Sequence, residues 1–257
     1  MFVPKPVEHF SIDSRWLQGS NQLRLDATFY NPRVARAIET LKKSSFDVRT
    51  LGSVTQHIFI PPRFKRIYVD KKHGVPFLQG THVVHFQPAD LKYLSRTAQP
   101  NLHKWIIKQG WILVTCSGTI GRVTISPEEW DGWAASQHIL RIVPDPSSPC
   151  PPGYLWAFLG SPIGQAQLTA QIYGAVVDEL TEEQAKSVLV PVPKTKEQQQ
   201  NVATINALAL KAVEKRAEAA GLATRAVGSI ALILPQEKPT AEAIRVSSVP
   251  DWKTSQG

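Results

Sequence analysis

The stretch Cys116–Arg122, "CSGTIGR", holds a thiol, two hydroxyls, two glycines and an arginine within seven residues. Three chemistries use such a set: a cysteine nucleophile, a glycine-rich phosphate cradle, or a turn that presents polar groups. A phosphate cradle of the nucleotide-binding kind needs a helix after its glycines, whose N-terminus supplies amides and dipole. A nucleophile elbow needs the same strand-to-helix turn. Here "GWILVT" precedes and "RVTIS" follows, and both read as strands. The spacing therefore predicts a β-turn, with Gly118 and Gly121 at positive φ. A Cys116 nucleophile would also need a base, for which His138 is available. Without catalysis the turn still binds: its amides, Ser117, Thr119 and Arg122 suit a phosphate or a base edge.

Basic residues concentrate nearby. "PPRFKRIYVDKKHG" puts Arg63, Lys65, Arg66, Lys71 and Lys72 in a loop-like segment, where cations suit phosphate contact. "LHKWIIKQGW" adds Lys104 and Lys108, with Trp105, Ile106 and Ile107 expected in the core. Gln79, Thr81, Ser136 and Gln137 carry groups suited to base edges. Other catalytic patterns are missing from the sequence: no "[DN]PP[YF]" motif, no glycine-rich cofactor loop after a strand, no Asp…Glu-x-Lys nuclease set. His57, His73, His82, His85, His103 and His138 are scattered. His82 and His85 lie three apart, but with no cysteine or carboxylate at ligand spacing, which argues against a metal. The expectation is a binding protein without catalytic residues, metal or cofactor.

The charge of +8 is unevenly placed. Residues 1–150 hold 19 Lys+Arg against 11 Asp+Glu, whereas residues 151–257 hold 10 of each. A basic part joined to a neutral part points to a polyanion partner for the first alone. Two unlike cysteines, Cys116 and Cys150, make neither a disulfide framework nor a metal pair, so a reducing, cytoplasmic location is expected. No run of eighteen apolar residues suggests a membrane span, and "MFVPKPVEHF" lacks the pattern of a secretory signal.

These groups need a scaffold. An N-terminal segment, residues 1–50, carries a helix expected over Pro32–Lys43, with Asn31 as N-cap and Val34, Ile38 and Leu41 on one face. Residues 51–193 alternate short β-branched and aromatic runs with turn residues. The strands expected are "SVTQHIFI", "VPFLQG", "WILVT", "RVTIS", "HILRIV" and "SVLVPVP". The helix "PGYLWAFLGSPIGQAQLTAQI" among them should be broken near Gly160, Pro162 and Gly164. This is an α+β fold with a mostly antiparallel, barrel-like sheet. Residues 194–234 lack proline until their end and predict one helix of about 60 Å. Its heptad-type seam of small residues runs through Ile205, Ala209, Ala212, Ala219, Ala223, Ala226 and Ile230 and suits a partner helix. The alternative is a helix folded back on its own domain. The polar, proline-punctuated tail, 235–257, is expected to be disordered.

The ordered pieces "RLDATFYNP", "GVPFLQGTHV", "GWILVTCSGTIGRV", "SQHILRIVP", "GYLWAFLGSPIG", "YGAVVDELTEEQAKSVLVPVP" and "KEQQQ" resemble the specificity (S) subunits of type I restriction–modification systems over roughly residues 20–234. The resemblance implies a target recognition domain that reads one half of an interrupted double-stranded DNA site. It implies a long helix that acts as spacer and carries the methyltransferase (M) subunit. Adenine methylation with S-adenosylmethionine would belong to M, and cleavage with ATP to the restriction (R) subunit. A complete S subunit has two recognition domains and two antiparallel helices, whereas this chain has one of each. A half-subunit that dimerises through its helix would restore the missing pair and read a symmetric site. It would otherwise pair with a different half, serve a related phage-defence methyltransferase, or be a truncated gene product. A standalone dimeric DNA-binding regulator is the reading outside the family.

Overall fold

The computed structural model describes residues 32–84, 88, 90–169 and 179–233. The opening segment with Asn31, His85, the end of the helical stretch towards Ile172 and the tail from 235 lie outside the described residues, as does the side chain of Ile230. The chain divides into two compact units, Met1–Ala220 and Gly221–Gly257.

Helix α1 spans Pro32–Lys43, as its spacing predicts; Ala37 and Leu41 are buried, and Lys42 and Lys43 sit in the last turn, where the helix dipole favours cations. Three sheets follow. Strand β1 (Asp47–Thr50) pairs antiparallel with β10 (Leu189–Val192). A second, fully antiparallel sheet has the order β2 (Thr55–Phe59), β9 (Ile139–Pro144), β6 (Ile112–Thr115), β7 (Val123–Ile125). The third has the order β3 (Tyr68–Val69), β5 (Lys92–Ser95), β4 (Gly74–Leu78), β8 (Ala134–Ala135), with β4 and β8 parallel. All six expected strands are present. β1, β3, β5 and β8 add to them, and β3 falls inside the segment expected to be loop.

Strand β6, "ILVT", is buried throughout, because both of its faces are covered. Ile112 and Val114 share a cluster with Leu140, Ile142, Leu155 and Leu159. Leu113, on the opposite face, joins Leu78, Ile107, Trp130 and Ile139. Alternation along β9 puts Arg141 on the face of Ile139, fully buried. Its guanidinium donates to the carbonyls of Ser136 (2.7 Å), Ala135 (2.5 Å) and Ile139, with a longer contact to Trp105 at 3.5 Å. One buried cation thus ties the second sheet to β8 of the third. Burial pulls its pKa down to about 9.

The expected break divides two helices, α2 (Pro152–Gly160) and α3 (Pro162–Thr169). Between them Ser161 is extended, and its hydroxyl donates to Phe158 O and accepts from Gly164 N. A side chain at Gly164 would collide with Phe158 O at 2.2 Å. The short helix α4 (Glu182–Lys186) starts in a capping box made by Thr181 and Gln184.

Helix α5 spans Lys196–Ile233. Thr195 Oγ1 accepts from Gln198 N, and Gln198 Oε1 accepts in return from Thr195 N and Lys194 N, the reciprocal arrangement that fixes a helix start. In the first unit Val202, Ala209 and Val213 are buried. Gly153 of α2 donates its N–H to Asn206 Oδ1 at 2.9 Å, and a Cβ there would lie 3.1 Å from Ala209 Cβ. Ala209, expected in a seam for a partner helix, is therefore packed on α2 of its own chain. The cause is the missing side chain at Gly153, which lets the two helices approach closely. Ala212 and Ala219 are exposed, as are Ile205 and Leu208. In the second unit Leu222, Ala223, Ala226 and Val227 are exposed.

Candidate nucleic-acid interface

Strand ends of the second and third sheets converge on one place. Register puts Thr115, at the C-terminal end of β6, opposite Ile139 at the start of β9. Ser136 N donates to Leu78 O, which brings the β8–β9 link against the end of β4. The residues after β4, after β6 and before β9 line a cleft of about 500 Å³.

The β6–β7 connection is the turn expected of "CSGTIGR", with φ of +72° at Gly118 and +85° at Gly121. Thr115 fills it: its hydroxyl donates to Thr119 O at 2.5 Å and accepts from Arg122 N at 3.0 Å. Gln165 of α3 braces the outside by donating to Gly121 O at 2.8 Å. Ser117, Thr119 and Arg122 all line the cleft. Among the described residues the Arg122 guanidinium makes no hydrogen bond or ion pair.

Cys116 faces the core instead. It is fully buried, and burial pushes its thiol up to about 12. Its Sγ contacts Gln137 O, and the His138 ring engages Ser117 and Gln137. Neither a thiolate nor a base is in place for a cysteine nucleophile.

Gln79 and Thr81 also line the cleft. Gln79 N donates to His82 Nδ1 at 3.2 Å, so His82 closes the local turn. Gln137 joins the wall through its neighbours. Its Oε1 accepts from Arg66 Nη2 at 2.9 Å, and its Nε2 lies 2.9 Å from His138 Nε2. His138 Nδ1 lies 2.5 Å from Ser117 Oγ. A guanidinium only donates, so the Gln137 oxygen faces Arg66 and its NH2 group donates to His138. His138 Nε2 then carries the lone pair and Nδ1 the proton, which is donated to Ser117. The hydroxyl hydrogen of Ser117 is left for the cleft.

The basic cluster splits. Arg66 is half-buried and lines the cleft. Its Cζ sits 5.7 Å from the Phe64 ring and 5.4 Å from the Phe77 ring, as a cation over aromatic faces. Gln99 holds the backbone on both sides of it, accepting from Ile67 N and donating to Lys65 O. Arg63, Lys65, Lys71 and Lys72 are exposed and outside the cleft lining. Lys71 and Lys72 lie in a 3₁₀ turn capped by Asp70, which also bonds His73. Lys104 and Lys108 are exposed, while Trp105 and Ile107 are core, as expected, and Ile106 is half-buried. Among the described residues no carboxylate lines the cleft. Among the described lining residues its two cations therefore have no carboxylate beside them, which favours an anionic or acceptor-rich ligand. His138 and Thr115 are the members that spacing did not assign to this site. His138 stood out in the sequence only as a base for Cys116, and Thr115 had no signal beyond its place before the turn.

Residues 46–219 match the family model of the type I restriction modification DNA specificity domain. No curated protein matches the chain significantly. Among solved structures it is similar to a chain of a type I R-M system, solved for its complex assembly and conformational transition, at 15% identity and TM-score 0.47, covering 79% of this chain and 49% of that one. It is similar to the HsdS subunit from Thermoanaerobacter tengcongensis at 16% identity and TM-score 0.44, covering 74% and 46%. A type I restriction–modification S subunit from M. genitalium gives 14% identity and TM-score 0.48, covering 82% and 52%. The chain spans about half the length of these structures. Among the described residues no helix is long and apolar enough to cross a membrane.

Proposed function

The chain belongs to the type I restriction modification DNA specificity domain family, and on that premise we propose that it reads one half of an interrupted double-stranded DNA site for a methyltransferase complex, itself supplying no catalytic group. The observation that carries this reading is the cleft. Residues from four separate chain segments meet there as two arginines, a histidine, hydroxyls and amides, with no carboxylate among the described lining residues. Exposed Arg63, Lys65, Lys71 and Lys72 are the phosphate contacts that place the duplex, and the cleft reads it. Adenine methylation with S-adenosylmethionine falls to an M subunit docked along α5, and any ATP-driven cleavage to an R subunit. The exposed apolar positions of α5 in the first unit, Ile205, Leu208, Ala212 and Ala219, follow a heptad spacing that suits a second helix. A second copy supplies it, and a two-fold pair reads a symmetric site.

The experiment is methylated-base sequencing of host DNA with the gene present and deleted. Loss of methylation at one interrupted motif is the expected result. A symmetric motif supports the self-paired form, and an asymmetric motif a different second half. Unchanged methylation refutes the reading and points to a standalone regulator.

A further inference from the structure

Sequence alone puts Arg66 with the phosphate contacts. We infer instead that Arg66 reads a guanine of the half-site through its major-groove edge, with Gln137, His138 and Ser117 as the chain that positions it. This rests on the DNA-reading function proposed above.

Three constraints separate Arg66 from its basic neighbours. Its backbone is held on both sides by the Gln99 amide, at 2.9 and 3.1 Å. Phe64, which flanks it, is stacked on Trp105 at 3.9 Å, and Trp105 Nε1 donates to Pro62 O. The guanidinium is held in its plane by Gln137 and by two ring faces. Its Nε is buried without a partner. The hydrogens that remain for a ligand are therefore at the Nη1/Nη2 end, the fork that bonds two adjacent acceptors at once. A phosphate contact needs no such fixing, and the side chains of exposed Lys65, Lys71 and Lys72 nearby have none among the described residues.

The hydrogen-bond direction worked out above decides which base fits. Arg66 offers donors, and Ser117, having accepted from His138, offers its hydroxyl hydrogen. The part of the wall whose hydrogen-bond direction is fixed, Arg66 and Ser117, therefore presents donors. In the major groove guanine alone presents two adjacent acceptors, N7 and O6. Adenine presents one acceptor beside a donor, thymine an acceptor beside a methyl group, and cytosine a donor. Arg122, whose guanidinium has no bond among the described residues to fix its direction, keeps the phosphate role.

The test is the methylated motif in host cells carrying wild-type, Arg66→Ala, Arg66→Lys, Gln137→Leu or Arg122→Ala genes, read by methylated-base sequencing. Arg66→Ala should make one G·C position of the motif degenerate, losing about 5- to 150-fold discrimination there and leaving other positions intact. Arg66→Lys keeps the charge without the fork and should relax the same position, with thermal melting of the purified protein unchanged. Gln137→Leu, a positioning change, should relax that position more weakly. Arg122→Ala should lower methylation at all sites equally. A uniform loss in both Arg66 variants, or a motif unchanged in both, overturns the assignment of guanine to Arg66 while the wild-type motif still supports DNA reading. A wild-type gene that leaves host methylation unaltered overturns both.

Discussion

Replacing Arg141 with methionine tests whether the link between the two larger sheets is held by hydrogen bonds or merely tolerated. The guanidinium is fully buried and faces backbone carbonyls with no carboxylate partner in the described chain. Hydrogen bonds from a charged donor contribute about 1.5–3 kcal/mol each, so three short ones contribute about 5–9 kcal/mol. Keeping an ion away from water costs several kcal/mol, which offsets part of this. The net expected loss for Arg141→Met is about 2–4 kcal/mol. For a chain of this size about 1 kcal/mol moves Tm by about 2–4 °C, so Tm should fall by about 4–16 °C. Arg141→Lys should fall further. It buries an ammonium, which is more strongly hydrated and lacks the planar fork needed to reach carbonyls on both sheets. Circular dichroism melting at pH 7, with urea unfolding at 25 °C, measures both variants. A methionine variant that melts at or above the wild-type temperature would show that desolvation outweighs the carbonyl bonds, and the account of the sheet link would be wrong.

Three other outcomes follow from the geometry. Burial raises Cys116 to about 12 and Cys150 to about 11, so the folded state holds both protons after the unfolded chain has released its own. Stability from these thiols is complete below about pH 8.5 and declines as pH climbs towards 11–12, at about 1.4 kcal/mol per pH unit for each. A Cys116→Ala/Cys150→Ala protein should show an alkaline stability curve flatter by that amount, and identical slopes would refute the shifts. Gly118→Ala, with open space around it, should cost only the left-handed backbone strain of about 1–2 kcal/mol. Gly121→Ala should lower the urea midpoint more, because its Cβ meets Thr169 and Gln165 at 3.2 and 3.3 Å; equal midpoints would contradict that packing. For the self-paired form proposed above, Leu208→Glu, at a residue 63% exposed, should halve the mass seen by light scattering and make Tm independent of protein concentration. An unaltered dimer mass would place the self-association elsewhere.

Much of the frame was legible because local and tertiary preferences agree. Pro32–Lys43 has a proline start and a single apolar face, and the six longer strands are apolar runs between turn residues. β3 ("YV"), β5 ("KYLS") and β8 ("AA") lack such a run; β5 and β8 are strands because they pair with β4, and β3 because it pairs with β5. The start of α4 was readable in "TEEQ", but a five-residue helix has too little periodicity to show. In α5, alanines stand on both the buried and the exposed faces, so the sequence cannot say which side meets its own domain. Gly153, far away in the chain, decides it. The cleft was legible residue by residue but not as one place. Gln79, Ser117 and Gln137 meet through strand pairing that no local pattern encodes. The different environments of Lys65 and Arg66 depend on Gln99, more than thirty residues away.

The pairing of Asp47–Thr50 with Leu189–Val192 continues into a bond from Leu51 N to Val188 O at 2.7 Å, and Gln198 of α5 reaches back to Ser45. The chain therefore leaves and rejoins the frame at one doorway, and every residue proposed to contact DNA lies between its two sides. A segment entered and left at one place can vary at its far end without moving the two-stranded jamb, provided it still meets the frame on the near side. Its obligations to the frame are the core it shares with Leu41, Val190, Val192 and Val202, the two bonds between Gln167 and Leu189, and the α2 surface around Gly153 on which α5 rests. On the proposed function, a change of readout confined to the cleft wall would leave these joining contacts, and with them the placement of the start of α5, as they are.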